Sequence, residues 1–229
     1  MATDITFNTL QTDVRRYIER GFSDTTDPIV YDQIPRLINL AERIIAKELK
    51  VEGQKVPMTF NMVAGQSVYA KPDRWRLTAS MWIGTNGATS SPSTGNTRVP
   101  LFPRSYEYCR NYWPDATVSA AANPPAFYAD YDSQTLMNWL IAPTPAAAFA
   151  AEVTIYQMPP LLDNATQQNW LTAYAPQLLL FGTMLQCAPF LKSDERIQTW
   201  QTMYDRALAS FMAEDVQKIT DNTTDRTRA

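Results

Sequence analysis

Two pairs of carboxylates are the side chains of this sequence best placed for acid–base chemistry. Asp130 and Asp132 stand two residues apart, and Asp194 and Glu195 are adjacent. Neighbouring carboxylates can divide the roles of general acid and general base between them. The first pair, however, brackets a predicted hairpin turn, and the second opens a predicted helix, where acidic groups favour the helix dipole. Each pair therefore has a structural explanation, and we predict no catalytic residues.

The absence of histidine and the scarcity of glycine argue against most other kinds of catalytic, metal-binding or phosphate-binding site. The chain has no histidine and only 7 glycines, so it cannot build a histidine-based acid, base or metal ligand. It contains neither a GxxxxGK[ST] nor a GxGxxG sequence that could hold phosphates. Cys109 and Cys187 lie far apart without a CxxC partner, which is expected of buried free thiols in a reducing compartment. We therefore predict no metal site and no cofactor.

The charge balance argues against a protein that grips nucleic acid. Lys and Arg number 20 against 23 Asp and Glu, a net charge of -3, whereas phosphate binding requires a basic surface. Arg15, Arg16 and Arg20 could face DNA or an acidic partner, or form a solvated helix face. The aromatic residues of the middle region could stack on single strands, but the scarcity of basic residues there favours core and subunit interface. No signal peptide and no membrane span are predicted.

Hydrophobic periodicity predicts two helices near each end of the chain. Apolar residues at spacings of three and four predict helices over about residues 6–20, 32–49, 176–188 and 193–213. The predicted N-caps are Thr6 or Thr3 for the first helix, Asp32 for the second and Ser193 for the fourth. Glu42 is predicted to face away from the apolar stripe of the second helix. The third helix, which starts at Pro176, is apolar nearly all round and is predicted to be the central, most buried one.

Between these helices the pattern becomes that of strands. Residues 57–62, 67–69, 74–83, 127–131, 135–141 and 153–156 are rich in aromatic and β-branched side chains, and residues 105–113 predict a short helix. The predicted fold is α+β: a bundle of four main helices from both chain ends (residues 1–50 and 163–215), interrupted by an antiparallel β insertion domain (residues 51–162). Residues 216–229 have little to bury and predict a flexible C-terminal arm, disordered in the isolated chain.

Two stretches of small polar residues predict long loops, at residues 85–97 (TNGATSSPSTGNT) and 117–125. Structureless runs of this length inside a compact domain are usually either functional or disordered. Both interpretations of residues 85–97 stay open: a loop that makes contacts, and an excursion that is merely tolerated.

The order of motifs along the chain resembles that of a known family. Residues 34–49 (IPRLINLAERIIAKEL) form one motif. A second set follows near the C-terminus, at residues 169–171 (NWL), 178–182 (LLLFG), 188–191 (APFL) and 194–196 (DER), then Trp200 and Tyr204. Together they resemble the head-to-tail adaptor proteins of short-tailed bacteriophages. The resemblance covers nearly the whole chain, although the β insertion matches only in outline.

The resemblance implies a structural virion protein without catalytic residues. Such adaptors form a ring, typically of about twelve copies, that docks beneath the portal protein. The ring extends the DNA channel, through which viral DNA passes without specific binding. It also presents a platform for tail nozzle or fibre proteins. The protein would lie at the head–tail junction of the virion. It would be assembled there in the host bacterial cytoplasm, with no membrane involved.

The same resemblance suggests two sets of contact residues. In similar adaptors the C-terminal segment reaches into the portal, so the predicted portal-binding residues are Val216, Gln217, Lys218, Ile219, Thr220, Asp221, Asn222, Thr223, Thr224, Asp225, Arg226, Thr227, Arg228 and Ala229. The first long loop of the middle region is the predicted contact with the next tail component, through Asn86, Gly87, Ser91, Pro92, Gly95 and Asn96.

Two alternatives stay open. One is another structural subunit of the tail, such as a nozzle or tail-tube subunit, which would bind an adaptor rather than the portal. The other is a small hydrolase or ligand-binding domain that uses carboxylates. Such a domain would be a stable monomer with a deep pocket that joins several Asp and Glu side chains.

Overall fold

The computed structural model describes residues 5–49, 54–84, 98–115, 124–132, 137–192 and 194–226. Within these residues there are six α-helices and seven β-strands. The helices are α1 (Phe7–Ile18), α2 (Pro28–Glu48), α3 (Tyr106–Tyr112), α4 (Trp170–Tyr174), α5 (Pro176–Leu191) and α6 (Ile197–Arg226). The strands are β1 (Lys55–Met62), β2 (Val68–Ala70), β3 (Trp75–Gly84), β4 (Arg98–Pro103), β5 (Phe127–Asp132), β6 (Met137–Ala142) and β7 (Phe149–Gln157).

The chain divides into two compact units. The helical unit comprises Met1–Gln54 together with Met158–Ala229, and the β unit comprises Lys55–Gln157. The helical unit contains α1, α2, α4, α5 and α6, and the β unit contains α3 and the seven strands of the described chain.

The centre of the helical unit is α5, as its all-round apolar sequence predicts. It packs against α1, α2, α4 and α6. Gly182 makes the close packing possible, because a Cβ atom there would lie 3.1 Å from Ile45 Cδ1 and 3.2 Å from Tyr204 Cε2. A larger side chain would push α2 and α6 away from α5. None of the described helices combines the length and the apolar character needed to cross a bilayer.

The predicted helix ends are confirmed at one place and wrong at two others. Thr6 caps α1 with a capping box, as predicted. Helix α2 begins earlier than the predicted cap at Asp32, because the Asp27 side chain accepts from the Val30 amide and Pro28 occupies the first turn. At the other end, α6 continues through Arg226, beyond the predicted end near residue 213, where the apolar pattern stops. Extending an existing helix is far easier than nucleating one.

The seven strands form one curled sheet in the order β1-β7-β3-β4-β5-β6-β2. Neighbours are antiparallel except β4 and β5, which run parallel with Phe102 opposite Phe127. Helix α3 lies between these two strands in sequence and carries the chain back, as a parallel connection requires. The curl brings Phe60 of β1 onto Trp139 of β6, with ring centroids 5.8 Å apart. The core of the β unit consists of Met62, Tyr69, Met81, Ile83, Leu101, Tyr128, Trp139, Ile141, Ala151, Val153 and Ile155.

The predicted architecture, a bundle of four main helices interrupted by an antiparallel β insertion, is wrong. The structure is α+β, but the described chain has six helices and a mixed seven-stranded sheet. Strand β4 is missing from the prediction because Pro100 and Pro103 signal against a strand. The parallel pairing of β4 with β5 depends on the return path through α3, and local hydrophobic patterns do not record such a path.

Candidate functional site

The first predicted carboxylate pair holds a buried lysine. Asp130 and Asp132 lie on β5, two residues apart and therefore on one face of the sheet. Lys71 Nζ lies 3.3 Å from Asp130 Oδ1 and 3.1 Å from Asp132 Oδ1, and the Lys71 side chain is 0% exposed. The same ammonium stands 3.4 Å from the centre of the Trp75 ring, and the Thr78 hydroxyl donates to Asp130 Oδ1 at 2.9 Å. These carboxylates neutralise the buried ammonium group of Lys71. A buried lysine without such partners would destabilise the fold.

Lys71 is the partner that the sequence interpretation missed. It lies 61 residues from Asp132, so no local pattern connects the two. The spacing of the two aspartates was a usable signal, since two carboxylates on one face of a strand repel each other unless a cation lies between them.

The second carboxylate pair lies at the start of α6. A 3-10 turn, Asp194–Arg196, leads into that helix, and the predicted cap Ser193 lies outside the described residues. Glu195 lines a surface cleft of the helical unit. The structure therefore places the two predicted pairs in different units.

A further carboxylate, Glu42 of α2, is buried in the helical unit with 1% of its surface exposed. It accepts hydrogen bonds from the Leu162 amide at 3.1 Å and from the Asn169 side chain at 2.6 Å. The side-chain amide of Asn39, with its nitrogen facing the carboxylate, donates a third hydrogen bond to Glu42 at 3.0 Å. It also donates one to the Leu162 carbonyl at 2.9 Å. Glu42 therefore fastens α2 to the segment before α4.

The prediction that Glu42 faces away from the apolar stripe is wrong. Glu42 follows Ile38 by four residues and precedes Ile45 by three, so it lies on the same helix face as these two buried residues. The spacing could have shown its burial, but a charged residue is normally assigned to the solvent side.

Burial raises the pKa of Glu42 from 4.5 to about 7, against the opposing hydrogen bonds from Leu162 and Asn169 and the charge of Arg43. The folded state then binds the proton more tightly than the unfolded state, so this stabilising contribution is fully present below pH 4.5 and is lost as the pH rises to about 7. Relative to Glu42→Gln, which does not titrate, we expect the free energy of unfolding of the unmodified chain to fall by up to about 3 kcal/mol over this range. Urea denaturation of both chains at the two ends of the range measures the difference, and a difference that does not change with pH would contradict the prediction.

Both cysteines are buried and unpaired, as predicted. Burial raises the pKa of the Cys109 thiol and raises that of Cys187 to about 12, so both stay protonated and unreactive near neutral pH. Across the part of the chain that the structure describes, no group of three or more His, Cys, Asp and Glu is arranged to hold a metal ion.

The aromatic residues of the middle region divide between core and surface. Trp75 covers Lys71, and Trp139 is buried in the sheet core. Near α3, in contrast, Tyr112 is 67% exposed and contacts the Tyr108 ring, with centroids 4.7 Å apart. The Arg104 guanidinium lies over Tyr108 at 5.5 Å. Exposed aromatic rings beside arginine are typical of protein–protein contact surfaces.

A concave surface lies in the helical unit, where α1 and α5 end and α6 begins. We call it the terminal cleft. Its volume is about 690 Å³. It is lined by Tyr17, Ile18, Glu19, Arg20, Met184, Cys187, Ala188, Leu191, Lys192, Glu195, Arg196 and Trp200.

The lining of the terminal cleft includes two aromatic side chains and several charged ones. Tyr17 and Trp200 meet edge to face with centroids 5.7 Å apart. Arg20, Lys192 and Arg196 are the cations of the lining, and no ion pair holds any of the three among the residues that the structure describes. Of the predicted arginine cluster, only Arg20 lines the cleft; Arg16 pairs with Asp13 at 3.7 Å.

The structure describes only some of the residues that are predicted to bind the portal or the tail. The predicted tail-contact residues, Asn86 to Asn96, lie outside the described residues. Residues 216–226 of the predicted portal-binding arm form the last three turns of α6, and residues 227–229 lie outside the described part. Val216 is 59% exposed.

Comparison with known proteins covers both units. A family model described as the SU10 adaptor protein matches residues 5–228. No curated protein matches the chain. The family match begins before α1 and ends after α6, so it concerns the whole arrangement of elements rather than a single motif.

Proposed function

The chain belongs to the SU10 adaptor protein family, a family of bacteriophage structural proteins, and from this premise we propose that it is the head-to-tail adaptor of its virion. In this function, copies of the chain form a ring of about twelve beneath the portal protein. The ring extends the DNA channel and carries the tail nozzle or tail fibres. The observation that carries the proposal is the family match over residues 5–228.

The course of α6 supports a portal-binding role for residues 216–229. Phe211 is the last α6 residue among the described contacts of the helical core, yet the helix continues to Arg226. These further residues add about 22 Å of helix at 1.5 Å per residue. Met212 and Val216 are 37% and 59% exposed, so these two side chains are accessible to a further partner.

Two finer parts of the proposal rest on the sequence. Residues 85–97 are proposed to contact the next tail component because loops of this length and composition are often functional. The channel is proposed to let DNA pass without holding it, because a chain of net charge -3 lacks the excess of Lys and Arg that binds phosphates.

Light scattering of the chain mixed with portal rings of the same virus tests the function. We expect the full chain to form a discrete many-copy complex with the ring. A chain that ends at Asp215 is expected to lose at least about tenfold in portal affinity, which corresponds to 1.4 kcal/mol. Deletion of residues 85–97 is expected to leave portal binding intact and to abolish attachment of the next tail component.

A chain in which residues 216–229 are scrambled controls for length and charge, and it should bind as poorly as the truncated chain. Unchanged portal binding after truncation would mean that the arm is not the docking segment and would favour a nozzle or tail-tube subunit. If the full chain does not bind portal rings at all, the adaptor function is wrong.

A further inference from the structure

The terminal cleft has the chemistry of a receptor for an acidic segment that carries bulky apolar side chains. Two aromatic side chains of its lining, Tyr17 and Trp200, offer contact area to an apolar group. The lining also holds three cations against two acids, Glu19 and Glu195, a net charge of one positive unit. Aromatic side chains beside an excess of cations favour a partner that is acidic and carries an apolar side chain.

The chain itself exposes such a segment. Residues 22–29 (FSDTTDPI), which comprise most of the connection from α1 to α2 and the first two residues of α2 and which we call the α1–α2 segment, contain two acids and two large apolar side chains. Phe22 and Ile29 are 63% and 73% exposed. Both side chains are therefore open to contact with a partner.

Hydrogen bonds hold the α1–α2 segment in one shape. The Thr25 hydroxyl donates to Asp24 Oδ1 at 3.1 Å, and the Asp27 amide donates to the Ser23 carbonyl at 3.1 Å. Gly21, with φ +68°, sets the direction of the chain into the segment, and a Cβ atom there would lie 2.8 Å from Val30 Cγ1. Such preorganisation lowers the entropy cost of binding.

We propose that the α1–α2 segment of one copy docks in the terminal cleft of a neighbouring copy, with Phe22 against Tyr17 and Trp200 and Asp24 beside Arg196. The inference rests on the proposed function, because it names the contact that joins adaptor copies. Phe22 is exposed and so does not fill the cleft of its own copy. Two different patches that complement each other form a heterologous contact, the kind that generates rings.

Charge complementarity favours a second copy as the occupant. The segment contributes Asp24 and Asp27, and the cleft contributes Arg20, Lys192 and Arg196. Asp27 also caps α2, which leaves Asp24, an exposed residue, as the acid best able to meet a neighbour. A portal or tail protein in the cleft is the competing outcome.

A charge exchange between Asp24 and Arg196 tests the contact. Asp24→Arg and Arg196→Glu are each expected to reduce lateral assembly by about tenfold or more, seen by native mass as partly filled portal rings in place of complete ones. The double variant, and an equal mixture of the two single variants, should again give complete rings, because every contact then joins opposite charges. Asp73→Arg reverses an exposed charge in the β unit and is the matched control, with assembly unchanged.

Phe22→Ser gives a second measurement that does not involve charge. It should produce partly filled rings while the circular dichroism of the free chain stays that of the folded protein. Complete rings with either single charge variant would overturn the proposal. Loss of assembly with Arg196→Glu that Asp24→Arg does not restore would also overturn it and would assign the cleft to another partner.

Failure of the proposed function gives a different result. In that case the unmodified chain does not bind portal rings at all. Sedimentation of the chain alone at high concentration then decides the inference: self-association that Asp24→Arg weakens and the double variant restores would support it, and a monomer at all concentrations would overturn it.

Discussion

Glu42→Ala is expected to lower the free energy of unfolding of the helical unit by about 3 to 5 kcal/mol. The substitution removes the acceptor of the Leu162 amide and of the Asn169 side chain and leaves the Asn39 amide without its carboxylate partner. Glu42 is 1% exposed, so water cannot replace these hydrogen bonds without opening the unit. Urea denaturation followed by far-ultraviolet circular dichroism, which reports mainly on helices, measures the loss.

Glu42→Gln is the matched control for this prediction. At pH 4.5, where the folded chain holds the Glu42 proton, the Gln side chain keeps one oxygen acceptor and the original volume, so we expect a smaller loss of about 1 to 2 kcal/mol. At this pH the order of stability should be unmodified chain, then Gln, then Ala, and the advantage of the unmodified chain over Gln should disappear as the pH rises to about 7. A loss below about 1 kcal/mol for Glu42→Ala would mean that water satisfies the three donors and that the carboxylate does not fasten α2.

Trp139→Ala is expected to lower the free energy of unfolding of the β unit by about 3 to 5 kcal/mol. Trp139 is 1% exposed and lies parallel to Phe60, with an interplanar angle of 9°. Its indole N–H donates to the Thr78 hydroxyl oxygen at 2.8 Å, and that hydroxyl in turn donates to Asp130. The substitution would open a cavity and would also disturb the polar group around Lys71. The fluorescence of the remaining tryptophans during denaturation gives the measurement.

Trp139→Phe separates packing from hydrogen bonding. It keeps an aromatic ring against Phe60 but removes the donor to Thr78, so we expect an intermediate loss of about 1 to 3 kcal/mol. Equal stability of the Ala and Phe variants would indicate that the hydrogen bond, and not the stacked ring, makes the contribution.

The candidate contact surfaces illustrate how far sequence patterns extend. The aromatic and charged residues of the terminal cleft come from the ends of α1, α5 and α6 and from the turns beside them. Tyr17 and Trp200 lie 183 positions apart in the sequence, but their ring centroids are only 5.7 Å apart in space. The periodicity of each helix shows which side chains share a face. It does not show which helix ends meet, and so the cleft could not be predicted.

The sequence by itself determined the local features of this protein. Helix faces, the cap at Thr6, the central position of α5 and the buried state of the two cysteines depend on residue types at short spacing. The motif order indicated the adaptor resemblance, in agreement with the family match. The tertiary structure alone decided the partners of Asp130 and Asp132, the burial of Glu42 against Leu162 across 120 positions, and the parallel pairing of β4 with β5. These contacts join residues that are distant in the chain, and their free energy depends on the path of the whole backbone rather than on any local pattern.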